Sequence, residues 1–199
     1  MTTVYLSLGS NIGDRAANIA RAIESLRRRG VPVARESSLY ETEPVDFLDQ
    51  DWFLNGVLEA ETTLAPEDLM HALLEIERSL GRERRIPKGP RVIDMDILLY
   101  GDREVHTSEA YTSEARTSEA YTYDLKIPHP RMAQRRFVLV PFAEIAPGAR
   151  HPVLGKTIAE LLEDTEDRSE VRRYDPVQSN MKPSPKTDPK AGSKTGGKK

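Results

Sequence analysis

Apolar residues along the first hundred positions recur at two periods, and the order in which those periods follow one another leaves few folds open. Residues 3–8, TVYLSL, alternate as a strand and run into a Gly-Ser-Asn turn. Beyond Asp14, a candidate cap, Ile19, Ala22, Ile23 and Leu26 return at helical spacing until Gly30. A second strand is expected within 33–40, ETEPVDFLDQD reads as a loop, and a third strand spans about 53–61. Pro66, Glu67 and Asp68 open a second helix with Leu69, Leu73, Ile76 and Leu80 as its buried stripe, and Gly81 ends it. A strand within 91–101 follows. This order, strand, helix, strand, strand, helix, strand, predicts an α+β fold with a ferredoxin-like β-α-β-β-α-β core. Additional short C-terminal helices are expected at 131–134 and 157–164, the second with Ile158, Leu161 and Leu162 inward.

The strand RVIDMDILLYG carries an anomaly. Ile93, Met95, Ile97 and Leu99 form one apolar face, but Asp94 and Asp96 share the other, about 7 Å apart along the backbone, and need a positive partner. Arg82, Arg84, Arg85, Lys88 and Arg91 place five cations in the ten residues that end at 91. Two carboxylates on a strand, with no Cys or His close by in sequence, suit Mg²⁺ shared with phosphate oxygens, and Arg91 could grip a phosphate bidentately. These are parts of a phosphoryl-transfer site. The bland alternative is a solvated strand face paired with surface arginines.

Composition narrows the classes. A net charge of −3 argues against nucleic-acid binding through bulk electrostatics. No apolar run approaches the ~18 residues of a membrane span, so no membrane association is expected. The N-terminus has no basic and apolar leader and the chain has no cysteine, which together predict a cytoplasmic protein. Neither a G-x-x-x-x-G-K-[ST] loop nor a G-x-G-x-x-G fingerprint occurs, so an ATP site must use another architecture. Within the expected domain, residues 1–174, the stretch 107–123 repeats TSEA plus one residue and reads as a loop insert. Residues 175–199, rich in Pro, Lys, Gly and Ser, are expected to be a disordered tail.

LSLGSNIGD at 6–14, SSLYETEPV at 37–45, FLNGVLEAETTLAPEDL at 53–69, IERSLGRER at 76–84, GPRVIDMDILLYG at 89–101 and IPHPRMAQRRFVLVPFAEIAP at 127–147 occur in sequence. In order and spacing they resemble the 6-hydroxymethyl-7,8-dihydropterin pyrophosphokinases of folate biosynthesis, over most of residues 1–165. The resemblance implies transfer of pyrophosphate from ATP to the pterin hydroxymethyl group, with AMP as the other product, in tetrahydrofolate biosynthesis. It implies two Mg²⁺ ions bound with ATP by Asp94 and Asp96. Arg82 and Arg91 match catalytic phosphate contacts, with Arg84 as a supporting arginine. Glu77, Ile97, His129 and Arg135 match further nucleotide contacts, Ile97 through its backbone. On the pterin side, Asn55 matches the residue that pairs with the ring's amide edge, Phe53 and Phe137 the rings that sandwich it, and Thr42 and Val45 its backbone neighbours. The implied partners are these small molecules alone, and the chain is expected to act as a monomer.

Each residue has a plainer reading. Phe53 and Phe137 could be core aromatics, Asn55 a local hydrogen-bonder, His129 a turn former between prolines, and Glu77 an exposed helix residue paired with Arg84. The chain also departs from the pattern. Lys88 stands where many members have a Trp before GPR, and Asp124 where some have an Arg. Another metal-dependent nucleotidyl transferase or cyclase is the alternative enzyme. An RNA-binding module on the same fold would carry an aromatic RNP1 motif, which is absent.

Overall fold

In the computed structural model, which describes residues 1–45, 49–82, 89–107 and 124–176, the central strand is β1 (Thr2–Ser10). It pairs antiparallel with β4 (Phe53–Thr62) on one side and β5 (Asp94–Tyr100) on the other. Outside β4 lie β2 (Val33–Glu36) and β3 (Tyr40–Thr42), and β8 (Val171–Arg173) extends the sheet past β3. With helix α1 (Arg15–Arg28) between β1 and β2 and α2 (Pro66–Ser79) between β4 and β5, the expected β-α-β-β-α-β core is present. Its second strand is in two pieces. At the break, the Ser37 N–H still reaches the Val57 carbonyl at 3.0 Å, while Ser37 Oγ accepts the Val57 N–H at 2.9 Å and Glu144 accepts the Ser38 N–H at 2.9 Å, so side chains supply part of the ladder.

Local signals account for the two long helices. Asp14 caps α1 by accepting the Ala17 N–H at 3.0 Å. At the end of α2, Gly81 adopts φ +91°, which a side chain would resist, and the Gly81 and Arg82 N–H groups return to the Arg78 and Glu77 carbonyls at 2.9 and 3.0 Å. This turn sets where Arg82 leaves the helix.

One sheet face packs Val4, Leu6, Leu8, Leu54, Leu58, Met95 and Ile97 against Ile19, Ile23 and Leu26 of α1 and Leu69, Leu73 and Ile76 of α2. Each such buried Leu or Ile contributes about 1.5–3 kcal/mol of transfer free energy. The other face meets α3 (Arg136–Ile145) and α4 (Ile158–Asp164) through Val57, Leu98, Leu99, Val138, Leu139, Phe142 and Leu161. Strict alternation placed Leu99 with Ile97, and the structure corrects that. The β1–β5 register shifts so that Leu6 faces Ile97 while Tyr5 faces Leu99, leaving Leu98 as the extra residue of a bulge that turns Leu99 to the opposite face.

The short C-terminal elements are a 3₁₀ turn at Met132–Gln134 and α4, both at expected positions. Helix α3 was not foreseen, because Pro141 sits inside it and its first half is rich in β-branched and aromatic residues. Before and after the TSEA repeats, β6 (Val105–His106) pairs with β7 (Lys126–Ile127). The repeats beyond Thr107 and the tail beyond Pro176 lie outside the described residues. No helix among the described residues is long and apolar enough to cross a membrane.

Candidate active site

Register across the sheet builds the site. Asp94 of β5 stands opposite Gly9 of β1, Gly9 opposite Asn55 of β4, and Asn55 opposite Tyr40 of β3, so the four share one face. Asp96, Ser7 and Val57 form the neighbouring row. Helix α3 covers Val57, and a cavity of about 250 Å³ remains open over Ser7, Asp96 and the Asp94–Asn55 row.

One end of this cavity is charged. Asp94 accepts from two guanidinium groups, Arg91 Nη1 and, at 2.8 Å, Arg82 Nη2. Arg82 also pairs through Nη1 with Glu77, whose Oε1 accepts the Met95 N–H at 2.7 Å. Burial pushes the Glu77 carboxyl up to about 7 despite the pull of Arg82. Asp96 is pushed up to about 6 by burial and then by the charge of Asp94. His129 is pushed down to about 4 by burial and by Arg135 and Arg131, so its imidazole is neutral near pH 7. Its Nδ1 accepts the Arg131 backbone N–H at 3.2 Å, and the His129 backbone N–H donates to the Leu98 carbonyl at the bulge, 3.0 Å away.

The other end is neutral. Asn55 Nδ2 donates to Thr42 Oγ1 at 2.7 Å, with Phe53, Phe137 and Val45 around them. Glycine opposite Asn55 gives the amide its room, since a Cβ on Gly9 would lie 2.5 Å from Asn55 Oδ1 and displace it. Guanidinium groups mark the boundary between the two ends, Arg91 5.4 Å from the Phe53 ring centre and Arg135 5.4 Å from that of Phe137.

The structure thus brings together Thr42, Val45, Phe53, Asn55, Arg82, Arg91, Asp94, Asp96, His129, Arg135 and Phe137 as lining residues. Glu77 and Ile97 do not line the cavity. Glu77 is buried behind Arg82 rather than exposed, and Ile97 packs in the helix-covered core. Arg84 and Lys88 lie outside the described residues. Asp94 and Asp96 border a recess, which disfavours the open solvated face.

Several participants escaped the sequence reading. Asn11 Oδ1 accepts the Arg91 N–H at 2.7 Å while its Nδ2 donates to Gln50 Oε1 and the Asp51 carbonyl at 3.0 and 3.1 Å, clipping three segments together. Ser7, Gly9, Glu43, Gln50 and Arg131 also line the cavity. For Ser7 and Gly9 a signal existed, since two small residues alternate with leucines on a strand, as the aspartates do with apolar residues.

The sequence profile of the 7,8-dihydro-6-hydroxymethylpterin-pyrophosphokinase family matches residues 5–147. The 2-amino-4-hydroxy-6-hydroxymethyldihydropteridine pyrophosphokinase of Aquifex aeolicus is 39% identical over 161 residues, covering 81% of this chain and 91% of that protein. The enzyme of the same name from Methylorubrum extorquens is 44% identical over 163 residues, with 81% and 92% covered. The folic acid synthesis protein fol1 of Pneumocystis carinii is 43% identical over 164 residues, but this chain spans only 20% of its length. A crystal structure of an HPPK-DHPS in complex with substrates superimposes with TM-score 0.64 at 14% identity, over 81% of this chain and 43% of that one, a likeness of fold. This chain belongs to the 7,8-dihydro-6-hydroxymethylpterin-pyrophosphokinase family.

Proposed function

We propose that the chain transfers an intact pyrophosphoryl group from ATP to the hydroxymethyl oxygen of 6-hydroxymethyl-7,8-dihydropterin, in tetrahydrofolate biosynthesis. The observation that carries this reading is a single cavity whose neutral, two-ring end adjoins an end lined by arginines and paired aspartates. The first suits a flat heterocycle, the second a polyphosphate. The hydroxymethyl oxygen attacks the β-phosphorus, the bond from that phosphorus to the α-bridging oxygen breaks, and AMP leaves. A loose transition state asks little of a general base, so the hydroxyl proton passes to water as the new O–P bond forms.

Asn55, held by Thr42, pairs with the amide edge of the pterin between Phe53 and Phe137, and Val45 flanks it. Arg82 and Arg91 exchange Asp94 for phosphate oxygens. His129 and Arg135 contact the nucleotide, Ile97 contributes through its backbone, and Arg84 supports from its loop. Glu77 works from behind, holding Arg82.

Asp94 and Asp96 fit Mg²⁺. They share a face, burial and mutual repulsion push Asp96 up, and no group of three or more metal-binding side chains among the described residues offers a full protein cage. Two ions held there with ATP would neutralise charge on the phosphates. We assign catalysis to residues 1–174 and take the chain to act as a cytoplasmic monomer.

A product assay with ATP, Mg²⁺ and the hydroxymethyl dihydropterin tests the reaction. AMP and pterin diphosphate should form in equal amounts. ADP as the stoichiometric product overturns the reading, and free pyrophosphate points instead to a nucleotidyl transferase or cyclase.

A further inference from the structure

The family match ends at residue 147, yet the chain returns to the cavity after α4. Residues 165–174 bond to elements on both sides of it, β3 and the start of α3. On one side β8 pairs with β3, Val171 opposite Thr42, and Thr42 is in turn opposite Phe53. The pairing is prolonged at each end: Tyr174 N–H donates to the Leu39 carbonyl at 2.8 Å, and Glu170 N–H to Glu43 Oε2 at 2.9 Å. Arg172 lies over the ring of Trp52, the residue before Phe53, 4.7 Å from its centre.

On the other side stands Asp167. Helix α3 starts at Arg136 with no side-chain cap from its own Ncap residue, Arg135. Its exposed donor is met instead by Asp167 Oδ2, which accepts the Arg136 N–H at 2.7 Å from 31 residues away. Asp167 Oδ1 accepts the Ser169 N–H at 2.8 Å, so the carboxylate ties the helix start to the turn that leads into β8. Although burial opposes ionisation, these two backbone donors hold the Asp167 carboxyl below its ordinary range. The next residue of the helix is Phe137.

We propose that residues 165–174 form a strap that sets the gap between Phe53 and Phe137, with Asp167 as its positioning residue for the flat substrate. The inference rests on the pterin reading of the neutral end. Its physical basis is that the two rings belong to elements distant in sequence, β4 and α3, and the strap bonds to α3 at one point and to β3, the immediate neighbour of β4, at the other. Freeing the start of α3 leaves Phe137 less well placed and leaves the sheet-borne aspartates where they are.

Calorimetry with 6-hydroxymethylpterin in the presence of Mg²⁺ and a non-transferring ATP analogue, and separately with the analogue alone, tests this on the full chain. Asp167→Ala should weaken pterin binding about five- to tenfold, as expected for loss of a helix cap felt at the binding wall, and analogue binding no more than about threefold, since among the assigned nucleotide contacts only Arg135 adjoins the freed helix start. Asp167→Asn keeps one of the two acceptor oxygens in use, enough to cap the Arg136 N–H while giving up the Ser169 bond, and should restore part of the pterin affinity. Unchanged pterin affinity in Asp167→Ala, an equal loss for both ligands, or no rescue by Asn overturns the strap. Wild-type protein that binds the pterin but releases no AMP in the product assay overturns the proposed reaction and leaves the strap to be decided by these affinities. Wild-type protein that binds no pterin overturns both.

Discussion

The two ends of the cavity solve the problem of a buried polar surface in opposite ways. At the neutral end, Asn55 is held by Thr42 and given room by Gly9, so its free amide edge is fixed before any ligand arrives. At the charged end, Arg82, Arg91, Asp94 and Glu77 are paired with one another. A lone buried charge costs several kcal/mol, so mutual pairing lets the fold keep these groups until phosphate and metal replace the partners. One end is prepared by shape, the other by exchange of partners.

Substitutions that strike one end and spare the other sharpen this contrast. The largest effect should come from Asp96→Ala, which should lower kcat by about 10³-fold or more, with circular dichroism and the pterin KM little changed. A comparable rise in pterin KM would show that the ends do not act separately. Next, Asn55→Ala should raise the pterin KM about 10- to 100-fold with the ATP KM unaffected, because the ligand's polar edge and the Thr42 hydroxyl each lose a partner. Gly9→Ala acts on the same end from outside it. Its Cβ, 2.5 Å from Asn55 Oδ1, must push the amide aside, and steady-state kinetics should show about a tenfold higher pterin KM.

A smaller effect is expected from salt. Raising ionic strength should raise the ATP KM about threefold through screening and leave the pterin KM flat, and parallel changes would break the distinction. Smallest is a stability effect at Glu77. Its folded carboxyl lies at about 7 against an ordinary 4.5, so between those values the native state holds a proton that the unfolded chain has lost. The Glu77 contribution is therefore present in full below pH 4.5 and is lost as pH rises through 7. Urea midpoints of the wild type minus those of Glu77→Gln should fall over that window, and a difference that rises or stays flat refutes the burial account.

Much of this was readable in the residues. Alternation and helical stripes marked β1, α1, β4, α2 and β5, and the same-face aspartates beside a run of cations marked the charged end. The family segments at 37–45, 53–69 and 127–147 pointed to Thr42, Phe53, Asn55 and Phe137, which the structure gathers into one lining. Glu77 shows the boundary of such reading. Its helical position allowed an exposed partner for Arg84, whereas the packing of α2 on β5 buries it against the Met95 N–H.

By itself the sequence determined what depends on near neighbours: the periods of the strands and long helices, the cap at Asp14, the turn at Gly81 that releases Arg82, and the pairing of two carboxylates on a strand. Tertiary structure alone decided the bulge at Leu98, the existence of α3 despite Pro141, the burial of Glu77 and the return of residues 165–174 to the cavity. Those outcomes rest on partners far apart in the chain, such as Arg136 with Asp167 and Asn11 with Arg91. Periodicity and capping act within a turn or two of backbone, while a bulge register, a helix start capped from another segment and a buried ion pair exist only once distant elements have packed.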